Sequence, residues 1–178
     1  MILHRDFYFV RHGETEHNRS GESKQDHPDL PLNETGRLQA EKIEDIIADL
    51  PIKTVCFSPL QRVKETKDII TNKLSAEHHE IEELMECTAK IWGEMCAWGD
   101  AIESSPHDPV QEFKLRTRKG VNSALSHEGP VLIVAHGGVH WMLCYLLQVL
   151  DHEWMIDNCV PVHFTVGSDG RWRGKKLI

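Results

Sequence analysis

Two histidines in this chain stand where a strand would end, each followed by glycine. Arg11-His12-Gly13 comes after Phe7-Tyr8-Phe9-Val10, and His136-Gly137-Gly138 comes after Val131-Leu132-Ile133-Val134-Ala135. A neutral imidazole can attack phosphorus without setting negative charge against an incoming phosphate dianion, and water can remove the N-phosphoryl group that results. Such a transfer also needs cations for the non-bridging oxygens and an acid for the leaving alkoxide. Arg11 adjoins His12, and Arg62 lies a little over one helical turn beyond Ser58-Pro59, able to point back to the same edge. A guanidinium fork binds two phosphate oxygens at once, which suits both arginines to the task. His136 and the backbone N–H groups of Gly137 and Gly138, at an expected helix start, complete an anion pocket. His12 is therefore the expected nucleophile of a phosphoryl transfer.

The elements that must position these groups alternate along the chain. Strands are expected at Phe7–Val10, Thr54–Phe57 and Val131–Ala135, and a third, more polar one between the last two at Glu80–Leu84. Helices are expected from Asn33 or Thr35 to about Leu50, from about Leu60 to Leu74, from Val110 to about Ser126, and from His140 to Leu150. Val160–Val166 and Arg171–Gly174 suggest a closing hairpin across Gly167-Ser168-Asp169-Gly170. Residues 20–33 read as a loop, and 85–109, with Gly93, Gly99, Pro106 and Pro109, as an irregular covering segment. Alternating strands and helices predict an α/β fold with a mostly parallel sheet covered on both faces, in a single domain over 1–178. Ligands of such sheets sit at the carboxyl ends of the strands, where both histidines fall.

Composition narrows the partners. A net charge of -8 opposes nucleic acid and anionic membranes over distance, although arginines can dominate the field inside a cleft. Five scattered cysteines with no C-x-x-C pair suggest reduced thiols in the cytoplasm, not a disulfide scaffold. No secretory signal or membrane span is read in the sequence. The four-residue spacing of His136 and His140 resembles that of zinc ligands, but Gly137, Gly138 and Val139 lie between them, with no glutamate to serve as general base. No metal or other cofactor is expected. Trp92, Trp98 and Trp141 could line a cleft or pack the core, and Arg37 suits an ion pair.

Four blocks together resemble the histidine phosphatase superfamily, the phosphoglycerate mutase-like proteins: F-Y-F-V-R-H-G-E-T-E-H-N at 7–18, L-N-E-T-G-R-L-Q-A at 32–40, S-P-L-Q-R-V-K-E-T at 58–66 and V-L-I-V-A-H-G-G-V at 131–139. They fall in the family's order and span nearly the whole chain. The resemblance implies a three-layer α/β/α sandwich, a phosphohistidine intermediate on His12, and Arg11, Arg62 and His136 around the transferred group, with no obligatory metal. It also implies that Asn18 helps position phosphate and that Glu86 is the proton donor. Cys87 to Ile91 intervene before Trp92-Gly93-Glu94, where the family keeps a tighter turn, so Glu83, Glu94 and Asp100 are rival acids.

Three functions compete on these residues. The first is hydrolysis of a phosphomonoester or phosphohistidine, on a small molecule or a peptide. The second, a phosphoglycerate mutase, must exclude water and supply extra cations for a carboxylate. Lys90 is the only basic residue from Glu86 to Phe113 apart from His107, and this favours hydrolysis. The third is a non-catalytic protein of the same fold that binds phosphorylated ligands. Specificity is expected from residues 20–31 and 87–109, while the substrate itself and the oligomeric state stay open.

Overall fold

The computed structural model of the chain describes residues 1–20, 29–104 and 108–178. Its elements in order are β1 (Phe7–Arg11), α1 (Glu16–Ser20), α2 (Glu34–Ala48), β2 (Thr54–Phe57), α3 (Gln61–Ile70), β3 (Glu77–Glu80), α4 (Ala89–Trp98), α5 (Asp108–Ser126), β4 (Val131–Ala135), α6 (Gly137–Leu147), β5 (Pro161–Val166) and β6 (Trp172–Lys176). Short 3-10 segments occupy Glu82–Leu84 and Gly99–Ser104. The strands form one sheet in the order β3-β2-β4-β1-β5-β6. β3, β2, β4 and β1 run parallel, and β5 and β6 extend the sheet as antiparallel neighbours.

Strand periodicity divides the core in two. Phe7 and Phe9 of β1, Cys56 of β2 and Val131, Ile133 and Ala135 of β4 pack with α5 and α6 on one face. Tyr8, Val10, Val55, Phe57, Leu132 and Val134 pack with α2 and α3 on the other. Both faces are covered, which is why the central strands read as unbroken apolar runs and not as alternating ones. α2 turns Ala40, Ile43 and Ile47 inward at helical spacing, and Asn33 caps it by accepting from the Gly36 N–H at 2.8 Å.

Register brings the chemistry together. Arg11 pairs with Ala135 and Phe57 with Val134, so β1 and β4 end level and β2 ends one residue earlier. The next residues, His12, Ser58 and His136, leave the sheet side by side. The His12 N–H donates to Ala135 O at 3.0 Å and the Ser58 N–H to Val134 O at 3.1 Å, which carries the ladder one step past the strands.

Several local expectations need correction. Among the described residues of 85–109, α4 is a regular helix, capped by Thr88 and ended by Gly99 at φ 49°. Gly93 in its middle masked the helical spacing of Ile91, Trp92 and Met95, of which Met95 is buried. The strand expected at Glu80–Leu84 lies earlier, at Glu77–Glu80, on the sheet edge, where a polar sequence suffices. α3 stops at Ile70, short of Leu74, and α6 runs from Gly137 to Leu147, not from His140 to Leu150. The helix α1 was not expected at all. Of the loop expected at 20–33, residues 21–28 lie outside the described residues, as do 105–107 of the covering segment.

Candidate active site

The first loop, Arg11 to Glu14, is held from three sides. The Gly13 N–H donates to Thr66 Oγ1 at 3.0 Å, and that hydroxyl donates onward to Arg62 O at 2.7 Å. Asn158 Nδ2 donates to His12 O at 2.7 Å, and the Cys159 N–H donates to Arg11 O at 3.0 Å. Gly13 and Gly36 let this loop lie against the start of α2. A Cβ on Gly13 would sit 2.4 Å from Gly36 O, and one on Gly36 would sit 2.1 Å from Glu14 O. The glycine of the second sequence block thus secures the loop that carries His12.

This scaffold fixes the His12 tautomer. Its Nδ1 lies 2.7 Å from Gly13 O, and because a carbonyl only accepts, Nδ1 carries the proton. Nε2 keeps its lone pair, which accepts from Arg62 Nε–H at 3.3 Å. His12 is only 3% exposed and Arg62 only 5%, so solvent screens this pair little. The His136 ring stands edge-on to His12 with centroids 5.2 Å apart, and its Nε2 lies 2.8 Å from Ser58 Oγ. His136 is fully buried beside His12 and does not itself form the cleft wall.

Arg11 Nη1 donates to Ile156 O at 2.7 Å, whereas its Nε–H is buried and meets no acceptor among the described residues. Burial pulls both guanidinium groups below their ordinary range. Glu86 opposes this at each of them, helped by Asp157 and Cys159 at Arg11 and by Asp29 at Arg62. Glu86 accepts from the Cys87 N–H at 3.0 Å and, through Oε2, from the Gly138 N–H at 3.1 Å in the first turn of α6. Asn18 is anchored through its oxygen by the Thr15 N–H and hydroxyl, both at 3.1 Å, so Nδ2 is its group left to donate.

These residues converge on a cleft of about 330 Å³. Arg11, His12, Asn18, Arg62, Glu86, Gly137 and Gly138 all line it, so every expected site residue except His136 is on its wall. Leu30, Ala89, Trp92, Met155 and Ile156 supply an apolar side. Cys87 adds to that side as a neutral thiol, since burial and the neighbouring Glu86 both push its pKa up. Among the described residues Glu86 is the only carboxylate on the wall. Its rival Glu83 pairs instead with Lys119 at 2.6 Å, Glu94 lies off the wall, and the Asp100 side chain is outside the described residues. Of the tryptophans, Trp92 lines the cleft and Trp141 is core. Arg37 forms the ion pair expected of it, with Glu65 at 2.8 Å.

Sequence reasoning missed several supports. Ser58 and Thr66 lay inside a recognised block without a role. Arg116 of α5 donates to Met85 O at 2.8 Å and to Glu86 O at 3.1 Å, which fixes the backbone that carries the carboxylate. Asn158 follows a stretch with no signal of its own.

The family model for the histidine phosphatase superfamily (branch 1) matches residues 7–175. The chain is similar to an uncharacterized phosphatase, PhoE, of Bacillus subtilis (strain 168), with 32% identity over 148 residues, covering 75% of this chain and 73% of that one. It is also 27% identical over 151 residues to an adenosylcobalamin/alpha-ribazole phosphatase of Salmonella typhimurium, covering 74% of each chain. Among solved structures, YhfR of Bacillus stearothermophilus superposes with a TM-score of 0.73 at 23% identity, over 97% of this chain and 95% of that one.

Proposed function

Because the chain belongs to the histidine phosphatase superfamily (branch 1), we propose that it hydrolyses small phosphomonoesters through a phosphoryl group carried on Nε2 of His12. The observation that carries this reading is the tautomer. With Nδ1–H held by Gly13 O, the lone pair on Nε2 is directed to the Arg62 side of the cleft, where phosphate would bind. The relatives named as phosphatases support the same activity.

In the first step Nε2 attacks phosphorus and the P–O bond to the leaving group breaks. Arg11 and Arg62 take non-bridging oxygens, joined by Asn18 Nδ2 and the Gly137 N–H, while His136 packs behind them against the His12 ring. Glu86, in protonated form, gives its proton to the leaving alkoxide. In the second step Glu86 accepts a proton from water, whose oxygen attacks phosphorus. The P–N bond breaks, Nε2 recovers its lone pair, and inorganic phosphate leaves. These steps use imidazole, guanidinium and carboxyl groups without a metal. The apolar wall of Leu30, Trp92, Met155 and Ile156 favours a leaving group with an apolar portion, and four buried cysteines of five support a reducing, cytoplasmic setting.

A mutase needs further cations for the substrate carboxylate. Among the described residues on the wall, the only arginines are Arg11 and Arg62, and no lysine joins them. The test measures phosphate release and phosphoglycerate isomerisation side by side, over a panel of sugar phosphates, nucleotides, phosphopeptides and phosphohistidine. Release is expected to dominate. Isomerisation that outpaces release would assign the site to a mutase, and no turnover on any member would assign it to ligand binding.

A further inference from the structure

Away from the cleft, α6 places His140 and Cys144 four residues apart on one helix face, and the loop after α6 brings His152 against them. His140 Nε2 and His152 Nε2 are 3.1 Å apart, Cys144 Sγ is 3.8 Å from His140 Nε2, and the three ligand atoms all lie within 4.8 Å of one another. Tetrahedral zinc, with bonds of about 2.0–2.1 Å to nitrogen and about 2.3 Å to sulfur, separates its ligand atoms by roughly 3.3–3.6 Å. We propose that His140, Cys144 and His152 form a three-ligand binding site for a zinc-class divalent ion, separate from the phosphate cleft, with the fourth position left to water.

The protonation of His140 fits that use. Its Nδ1 lies 2.9 Å from Trp154 O, and a carbonyl can only accept, so Nδ1 carries the proton and the Nε2 lone pair faces His152, while Cys144 Sγ, 3.8 Å from Nε2 and 3.9 Å from Nδ1, turns toward that lone pair to ligate. A backbone carbonyl that fixes the outer nitrogen of an imidazole is the usual support behind a metal-bound histidine. His140 is fully buried, and burial keeps it neutral and able to ligate, with its pKa pushed down to about 3. Without metal, His152 Nε2–H donates to His140 Nε2. On binding, His152, which is partly exposed, moves its proton to Nδ1 through solvent, and the Cys144 thiol loses its proton, so each ion bound releases one proton. Burial raises the Cys144 thiol well above its ordinary range, and thiolate formation therefore depends on the ion.

The ligands join α6 to the loop that supplies Met155 and Ile156 to the cleft and whose Ile156 carbonyl holds Arg11. An ion here would staple that loop to the helix. Neither His136 nor any residue of the proposed mechanism takes part, so this site and the phosphatase reading fail or stand separately.

The test titrates the chelator-stripped protein with Zn²⁺ against a chromophoric competitor, and with Co²⁺ as an absorbing substitute. One equivalent of Zn²⁺ is expected to bind, and Co²⁺ is expected to show a thiolate-to-metal charge-transfer band. His152→Ala and Cys144→Ala should each weaken Zn²⁺ binding by at least about 100-fold. His152→Ala removes a partly exposed side chain and should keep the wild-type circular dichroism and phosphatase turnover, so a loss of binding there cannot be ascribed to unfolding. Wild-type protein that fails to bind Zn²⁺, or binding that survives both substitutions, would overturn the proposal.

Discussion

Gly138→Ala isolates the acid of the proposed mechanism. A Cβ at position 138 would lie 2.4 Å from Glu86 Oε1 and 2.7 Å from Cys87 Sγ, both side-chain ends that can move. Unstrained contacts rest near 3.5 Å, so the carboxyl must retreat by about 1 Å. Such a retreat also strains its bond from the Gly138 N–H, 3.1 Å long in the native protein. A displacement of about 1 Å in a reacting group costs on the order of 100-fold in rate, or about 2.7 kcal/mol of barrier. Folding should suffer little, because alanine is favoured over glycine within a helix by about 1 kcal/mol, which offsets the lost hydrogen bond. The assay compares kcat/KM for an alkyl phosphate, whose alkoxide needs a proton, with that for a nitrophenyl phosphate, whose phenolate leaves unaided. The alkyl ester should lose roughly 100-fold and the nitrophenyl ester no more than about 3-fold, with Tm near that of the wild type. Equal losses on the two esters would refute Glu86 as the proton donor, as would an undiminished alkyl rate.

Two further substitutions probe the supports. Gly36→Ala sets a methyl group 2.1 Å from Glu14 O, a backbone atom that cannot swing aside, and should cost about 1–3 kcal/mol in a denaturant melt while slowing turnover on every ester. Arg116→Met strips the donors from the carbonyls of Met85 and Glu86 and should lower alkyl-ester turnover about 10-fold, more than nitrophenyl-ester turnover. Arg116→Lys, which keeps the charge but not the fork, should recover only part of that loss in the same assay.

The central fold was legible because its strands are buried on both faces. β1, β2 and β4 carry continuous apolar runs that end abruptly at Arg11-His12, Ser58 and His136, and those endings marked the candidate site. Edge and cover were harder to read. β3 is Glu77-His78-His79-Glu80, with no apolar alternation, because an edge strand outside the core needs none. α4 hid behind Gly93, a residue whose helix cost is outweighed here by the burial of Met95 and the cap at Thr88. The candidate groups His12, Arg11 and Arg62 could be named from type and position, and Glu86 from the family resemblance. Their supports could not. Arg116 reaches carbonyls about 30 residues away and Asn158 reaches one 146 residues away, and no local pattern encodes such a contact. His152 joins His140 and Cys144 in the same way, through a loop that only the folded chain brings back to α6.

Rapid acid-free quenching of the enzyme mixed with a ³²P-labelled ester tests the role of His12 most directly. Wild-type protein should carry base-stable, acid-labile label that maps to the peptide containing His12, formed and discharged at rates matching turnover, and His12→Ala should take up none and release no phosphate. Label on another residue, or phosphate release by His12→Ala at the wild-type rate, would contradict nucleophilic attack by this imidazole.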